Sequence, residues 1–311
     1  MLIAGDWGTS RLRVALLDGG AVVDRAEGPG IGRLGTGTVA AAFSATVAPW
    51  ADHGLVPTIL GGMVGSTLGW VEAPYLACPA DVAALADALV RFDSDGRRIA
   101  IAPGLACTNP LGAPDVMRGE ETQVLGALAL SGALAHGRHM LCLPGTHGKW
   151  VLLDDARVET FQTTLTGELF ACLRDHSVLG RDLPPPSDAA RTPAADAAFA
   201  LGLDRAFDPR RPALGHLLFE ARSRRLRGGM AAADVAAFLS GMTIGADVAG
   251  MLDLLPAIDR VTLVGAPALV AGYAAALHRR GVAHATIDGD AAALAGLNAL
   301  ATAAGLIGET G

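Results

Sequence analysis

The chain opens as short apolar runs punctuated by polar, glycine-rich turns. Leu2-Ile3-Ala4-Gly5 is apolar and ends at Asp6-Trp7-Gly8-Thr9-Ser10; beyond it Leu12, Val14 and Leu16 alternate with Arg11, Arg13 and Ala15. That two-residue period is the mark of a half-buried strand. Asp18-Gly19-Gly20 reads as a hairpin turn and Ala21-Val22-Val23 as the following strand. The same order recurs much later. Met140-Leu141-Cys142-Leu143 is an apolar strand, Pro144 to Gly148 a turn, Trp150-Val151-Leu152-Leu153 a strand, and Asp154-Asp155 the turn before Arg157-Val158-Glu159. Two strand–turn–strand units far apart in sequence predict a chain built from two related halves.

Between and after them, Leu60 to Ser66 reads as a strand leaving into a Gly-rich loop. Helices are expected over Glu120–Leu134, over Ala231–Leu255 with interruptions, and over Ala268–His278, the last after the strand Val261–Val264 and the turn Gly265-Ala266-Pro267. Leu183-Pro184-Pro185-Pro186-Ser187 marks an exposed connection. The longest uncharged stretch, Ala291 to Gly308, places Leu294, Leu297, Leu300, Ala304 and Ile307 at helical spacing, which predicts a buried amphipathic helix rather than a membrane span.

Composition narrows the function classes. A length of 311 residues with 51% hydrophobic content suits one large or two medium domains, and a net charge of −7 argues against nucleic acid as the main partner. The densest basic cluster, Arg222 to Arg227, reads as a solvated helix face. Cys78, Cys107, Cys142 and Cys172 show no C-x-x-C spacing, so inert thiols in a reducing compartment are expected and a cysteine metal site is not. Met1 leads at once into a strand-like run, so no signal peptide is expected and the protein is expected to be soluble and cytoplasmic.

Of the 24 basic residues, Lys149 alone is a lysine, and it stands at the end of Pro144-Gly145-Thr146-His147-Gly148. Small residues let backbone N–H groups approach an anion, and an ammonium adds a compact charge. A lysine left there by chance is the plain alternative. Asp6-x-Gly8-Thr9-Ser10 is the corresponding turn at the N-terminus: its carboxylate suits Mg²⁺ and its amides and hydroxyls suit phosphate, although an ordinary polar hairpin has the same look. Arg13 could neutralise phosphate charge or simply sit on a strand surface, and His147 caps its turn or touches phosphate. Glu120 and Glu121 open a helix after Arg118-Gly119; the helix dipole favours carboxylates there, and one of them could instead accept a hydroxyl proton during attack on phosphorus. Gly265 fits an adenosine-binding turn, as it would fit any strand–helix junction.

Taken together these segments resemble the sugar kinase/actin/heat-shock ATPase superfamily, and within it the 2-dehydro-3-deoxygalactonokinase family. The likeness is carried by Asp6–Ser10 with Arg13, by Gly62-Met63-Val64-Gly65-Ser66 with Gly69 to Tyr75, and by Met117 to Gln123. Pro144–His147 with Lys149–Val151, and Thr166-Gly167-Glu168-Leu169-Phe170, complete it. The chain departs from the family's pattern at Gly148 and at Thr67-Leu68, and the second departure bears on the choice of sugar acid.

The resemblance implies an actin-like (ribonuclease H-like) α/β fold of two domains with mixed sheets and an interdomain nucleotide cleft, divided as 1–135 and 136–311, with the last helix packing back on the first domain. It implies ATP-dependent phosphorylation of the C6 hydroxyl of 2-dehydro-3-deoxy-D-galactonate, with ATP and Mg²⁺ as cofactors. Asp6 would serve Mg²⁺ and Glu121 would be the catalytic base. Gly8, Thr9, Ser10, Arg13, Gly145, Thr146, His147, Lys149 and Gly265 would bind nucleotide. Gly62, Met63, Ser66, Arg118 and Glu168 would line the sugar-acid pocket, Arg118 facing the substrate carboxylate. A small-molecule sugar acid is the expected partner, with no nucleic acid and no membrane, and a homodimer is left open. A kinase for another sugar acid, an exopolyphosphatase-like phosphatase and a non-enzymatic nucleotide-binding regulator are the rival readings.

Overall fold

Two antiparallel meanders organise the chain, and a computed structural model describes them within residues 1–35, 37–185, 191–210, 213–255 and 259–307. Pro186 and Ser187 of the proline-rich connection, and Gly308, lie outside the described residues. In chain order the first stretch runs β1 (Leu2–Trp7), β2 (Arg11–Asp18), β3 (Ala21–Pro29), α1 (Val39–Val47), β4 (Thr58–Gly62), β5 (Tyr75–Ala77) and α2 (Val82–Asp87). It continues with β6 (Val90–Ser94), β7 (Arg97–Ile101), β8 (Gly104–Thr108), β9 (Pro114–Met117) and α3 (Glu120–Leu130). There follow β10 (Arg138–Leu143), β11 (Gly148–Asp154), β12 (Arg157–Thr164), α4 (Thr166–His176), α5 (Pro193–Ala206), α6 (Leu214–Leu217), α7 (Glu220–Arg227) and α8 (Ala232–Leu254). The chain closes with β13 (Arg260–Gly265), α9 (Pro267–Arg279), β14 (Ala283–Asp288) and α10 (Gly289–Ala303).

The strands form sheets in the orders β3-β2-β1-β4-β7-β6, β12-β11-β10-β13-β14 and β5-β8-β9. The first is mixed: β1 runs antiparallel to β2 and parallel to β4. Its β3-β2-β1-β4 order is repeated as β12-β11-β10-β13 in the second sheet, the structural form of the repeat seen in the sequence. Two compact units divide the chain. Unit 1 holds Met1–Leu141, Val151–Gln162 and Ile287–Gly311; unit 2 holds Cys142–Trp150 and Thr163–Thr286.

Unit 1 is built on a core of Trp7, Leu12, Leu16, Phe43, Leu60 and Ile101, each of which contributes about 1.5–3 kcal/mol by leaving water. Its α3 and α10 cross at backbone contact: a Cβ on Gly126 would lie 1.7 Å from the Ala292 carbonyl oxygen, and one on Gly296 would lie 1.8 Å from that of Thr122. This crossing explains a departure from the expected helix. The buried face of α10 is Ala292, Ala293, Gly296, Leu297, Leu300 and Ala301, while Ala304 and Ile307 lie beyond its end. Small residues, not the leucine stripe, set the orientation because the neighbouring backbone leaves no room for more.

Two other helices differ from expectation. The helix that begins at Glu120 stops at Leu130, where Ser131 turns extended, and Gly132–Leu134 is a separate 3-10 turn. By contrast α8 is continuous over 23 residues despite its glycines. Gly241 and Gly202 are where α8 and α5 meet, since a Cβ on Gly241 would lie 2.1 Å from the Phe199 carbonyl oxygen. By length and composition α8 could cross a membrane, but Phe238, Leu239 and Met242 on it are buried in the core of unit 2.

Candidate functional site

In unit 1 the candidate residues gather at the ends of β1 and β4 and the start of α3. Asp6 lies opposite Arg13 in the β1–β2 register and beside Gly61 of β4. The Arg13 guanidinium donates to Asp6 at 2.7 Å and to Asp290, in the first turn of α10, at 2.5 Å. Burial pushes the Asp6 carboxyl above the usual range; Arg13 pulls it back, and the charges of Asp290 and Glu120 raise it further. The adjoining turn is closed by the Gly8 N–H donating to the Arg11 carbonyl at 3.0 Å and by the Gly32 N–H donating to that of Thr9 at 2.9 Å. Thr9 and Ser10 stand exposed at its tip.

Gly62 and Gly119 let these segments converge. Both have positive φ, +92° and +107°, where a side chain is strained. A Cβ on Gly62 would also lie 2.9 Å from the Trp7 carbonyl oxygen and 3.2 Å from Asp6 Oδ1, and one on Gly119 would lie 3.3 Å from the Gly62 Cα. The result is an open pocket of about 170 Å³ whose walls include Asp6, Gly8, Gly62, Met63, Arg118 and Glu120. Ser66 is not on its wall; its hydroxyl donates to the Met63 carbonyl at 2.8 Å and closes the loop's own turn. Arg118 ties its own segment to the stretch from Ala73 to Tyr75: one Nη donates to the Ala73 carbonyl at 2.8 Å, and the guanidinium stacks 4.3 Å over the Tyr75 ring. Its Nε and other Nη are buried with no hydrogen-bond partner among the described residues.

The two glutamates at the start of α3 differ. Glu120 faces the pocket, whereas Glu121 is 1% exposed. Glu121 Oε2 accepts the Gly119 N–H at 2.6 Å, while Oε1 is buried without a partner among the described residues. Burial, with the neighbouring charge of Glu120 adding to it, pushes the Glu121 carboxyl up to about 8.

In unit 2 the second turn is gripped from α4. His147 Nε2 and Glu168 Oε2 lie 2.5 Å apart, and the Glu168 N–H donates to the Thr146 carbonyl at 3.0 Å. A Cβ on Gly167 would lie 2.3 Å from the Gly145 carbonyl oxygen, so α4 reaches the loop with no space between them. Lys149 is 4% exposed and its Nζ donates to the His147 carbonyl at 3.3 Å. Gly265 ends β13 beside Pro144.

Unit 1 therefore brings together Asp6, Arg13, Gly62, Met63, Arg118 and Glu120, with Glu121 set behind the wall. Unit 2 brings together Gly145, Thr146, His147, Glu168 and Gly265, so Glu168 sits beside the second turn. Three polar residues escaped the sequence reading. Asp290 had a weak signal as an acidic residue at a helix start, and Gln123, two residues past Glu121, is on the pocket wall. Asp247, a carboxylate within an apolar helix, hydrogen-bonds to residues far off in sequence. Among the described residues no group of three or more His, Cys, Asp or Glu is arranged to hold a metal unaided.

Comparison with known proteins adds what geometry alone leaves open. The family described as 2-keto-3-deoxy-galactonokinase matches residues 6–300. A probable 2-dehydro-3-deoxygalactonokinase of Rhizobium meliloti is 40% identical, over 96% of this chain and 96% of its own. The 2-dehydro-3-deoxygalactonokinase of Escherichia coli is 37% identical, over 97% of each chain. The crystal structure of a Sinorhizobium meliloti 2-dehydro-3-deoxygalactonokinase candidate superposes with a TM-score of 0.84 at 39% identity, covering 97% of this chain and 98% of that one. Component A of the (R)-2-hydroxyglutaryl-CoA dehydratase of Acidaminococcus fermentans superposes at 0.51 with 15% identity, over 97% of this chain and 98% of that one, a likeness of fold alone. The fold is the two-unit, mixed-sheet α/β architecture of the actin-like ATPases and sugar kinases. The chain belongs to the 2-keto-3-deoxy-galactonokinase family.

Proposed function

We propose that the protein is a cytoplasmic ATP-dependent kinase that phosphorylates the C6 hydroxyl of 2-dehydro-3-deoxy-D-galactonate in galactonate breakdown. The observation that carries the reading is the unit 1 pocket, where Asp6, Arg118 and Glu120 surround a small-molecule-sized space with the dry Glu121 carboxyl behind it. An acidic sugar needs a cation, and Arg118, its guanidinium fixed by Tyr75 and Ala73, is the one on that wall among the described residues. Gly62 and Met63 would shape the pocket around the carbon chain, with Ser66 keeping the loop's turn closed.

Glu121 is assigned the proton of the attacking hydroxyl. Held up to about 8, this carboxyl can accept a proton only in its ionised form, so the assignment has turnover rising with pH towards about 8, with the unpartnered Oε1 as the accepting atom. Asp6 fits a magnesium ion as a hard oxygen donor on the pocket wall: Asp290 and Glu120 add negative charge beside it, and the Arg13 guanidinium that it now binds shows that the place takes a cation. When bound, that ion would neutralise charge on the nucleotide phosphates. The first turn (Gly8, Thr9, Ser10), with Arg13, and the second (Gly145, Thr146, His147, Lys149) are assigned to those phosphates, and Gly265 to the adenosine.

ADP release from Mg·ATP tests the reading, measured with 2-dehydro-3-deoxygalactonate, with its gluconate epimer and with no acceptor. Turnover with the galactonate form alone is expected. Release without an acceptor would overturn the kinase reading, and equal turnover with both epimers would remove the specificity.

A further inference from the structure

One carboxylate near the middle of α8, Asp247, collects four hydrogen bonds from three separate segments of unit 2. The Trp150 indole N–H donates to Oδ1 at 3.0 Å. The hydroxyls of Tyr273, Thr166 and Thr164 donate to Oδ2 at 2.6, 2.7 and 3.2 Å. Burial pushes this carboxyl up and the four donors pull it back.

The donors share a location. Trp150 directly follows Lys149. Thr164 Oγ1 occupies the space beside Gly148, 2.9 Å from where a Cβ would be. Thr166 opens α4, whose next two residues hold the turn itself: Gly167 lies against Gly145 and Thr146, and the Glu168 N–H binds the Thr146 carbonyl. Tyr273 is on α9, the helix entered through Gly265 beside Pro144. One side chain thus ties together the residue that follows the turn, the β12–α4 junction packed against the turn, and the helix behind it. A hydroxyl can rotate to suit a new partner, but an indole N–H cannot, and an amide in place of the carboxylate turns one acceptor into a donor.

We propose that Asp247 is a positioning residue for nucleotide binding: it holds the flanks of the second turn at the spacing that phosphate oxygens require, without touching the nucleotide itself. The proposal rests on the kinase reading for the identity of the anion, and on the unit 2 geometry for the role.

The test is the affinity of a non-hydrolysable ATP analogue, by calorimetry, for the wild-type chain, Asp247→Asn and Thr166→Val, together with the sugar-acid KM and the thermal midpoint of each. Loss of a hydrogen bond to a charged group predicts analogue binding weakened by about 10-fold in Asp247→Asn and by about 3-fold in Thr166→Val, with the sugar-acid KM unchanged. Lowered thermal midpoints with unchanged analogue affinity would reduce Asp247 to a stabilising contact and overturn the proposal. If Asp247→Asn does not fold, Thr166→Val decides by the same criterion. Analogue binding by the wild type without sugar phosphorylation would sink the kinase reading and leave this test standing, whereas no analogue binding by the wild type would overturn both.

Discussion

The two strand–turn–strand units share an order of strands but treat their polar groups in opposite ways. At the first, one guanidinium, Arg13, serves two carboxylates, Asp6 and Asp290, and Glu121 keeps one oxygen buried and unpartnered among the described residues. At the second, Asp247 receives four donors and the turn is clasped by α4 at backbone contact. An unsatisfied buried carboxyl is costly to keep, while a satisfied one rigidifies its surroundings. The difference teaches that one architectural plan can serve two ends. Unit 1 retains an under-partnered buried carboxyl and two carboxylates on one guanidinium; unit 2 retains a turn clasped on its sides.

The sharpest way to break that contrast is to remove the carboxyl proposed to take the proton. Glu121→Gln keeps the acceptor for the Gly119 N–H and should cost turnover on the order of 10²–10⁴-fold, with ATP affinity retained. Full activity would take Glu121 out of the mechanism and turn attention to Glu120 on the pocket wall. A smaller effect is expected at the other turn: Lys149→Ala should weaken ATP binding by about 10-fold, the loss of one charge-assisted contact. Unchanged affinity there would make this buried lysine purely structural.

The smallest effect is one of stability and sharpens the contrast through pH. The Glu121 carboxyl is raised from 4.5 to about 8 in the folded chain. Its contribution is therefore fully present below about 4.5 and is lost as pH rises through about 8, because the folded state holds the proton longer than the unfolded one. Glu121→Gln lacks that loss, so its thermal midpoint should gain on the wild type steadily between pH 5 and pH 8. A gap that does not change with pH would mean that Glu121 is not held protonated by burial.

The turns were legible in the sequence because their chemistry is local. Asp6-x-Gly8-Thr9 and Gly145-Thr146-His147 combine small residues with polar ones within a few positions, and the strands beside them are apolar runs or, in the first half of β2, alternate. What escaped depends on distant neighbours. Asp247 sits in a helix whose composition is almost wholly apolar, and the residues that satisfy it are 26 to 97 positions away. On α10, Leu297 and Leu300 are buried as the hydrophobic stripe expects, but Ala292, Ala293 and Gly296 share that face, because the close contact with α3 leaves no room for a side chain at Gly296. Glu120 and Glu121 are adjacent and chemically alike, and burial alone separates them: one on the pocket wall, the other 1% exposed.

Phosphorus NMR of the product formed from Mg·ATP and 2-dehydro-3-deoxygalactonate tests the central claim most directly. Transfer to the C6 hydroxyl predicts a phosphomonoester resonance split into a triplet by the C6 methylene protons, growing as ADP appears. A lone inorganic phosphate signal would show water as the acceptor and contradict the account.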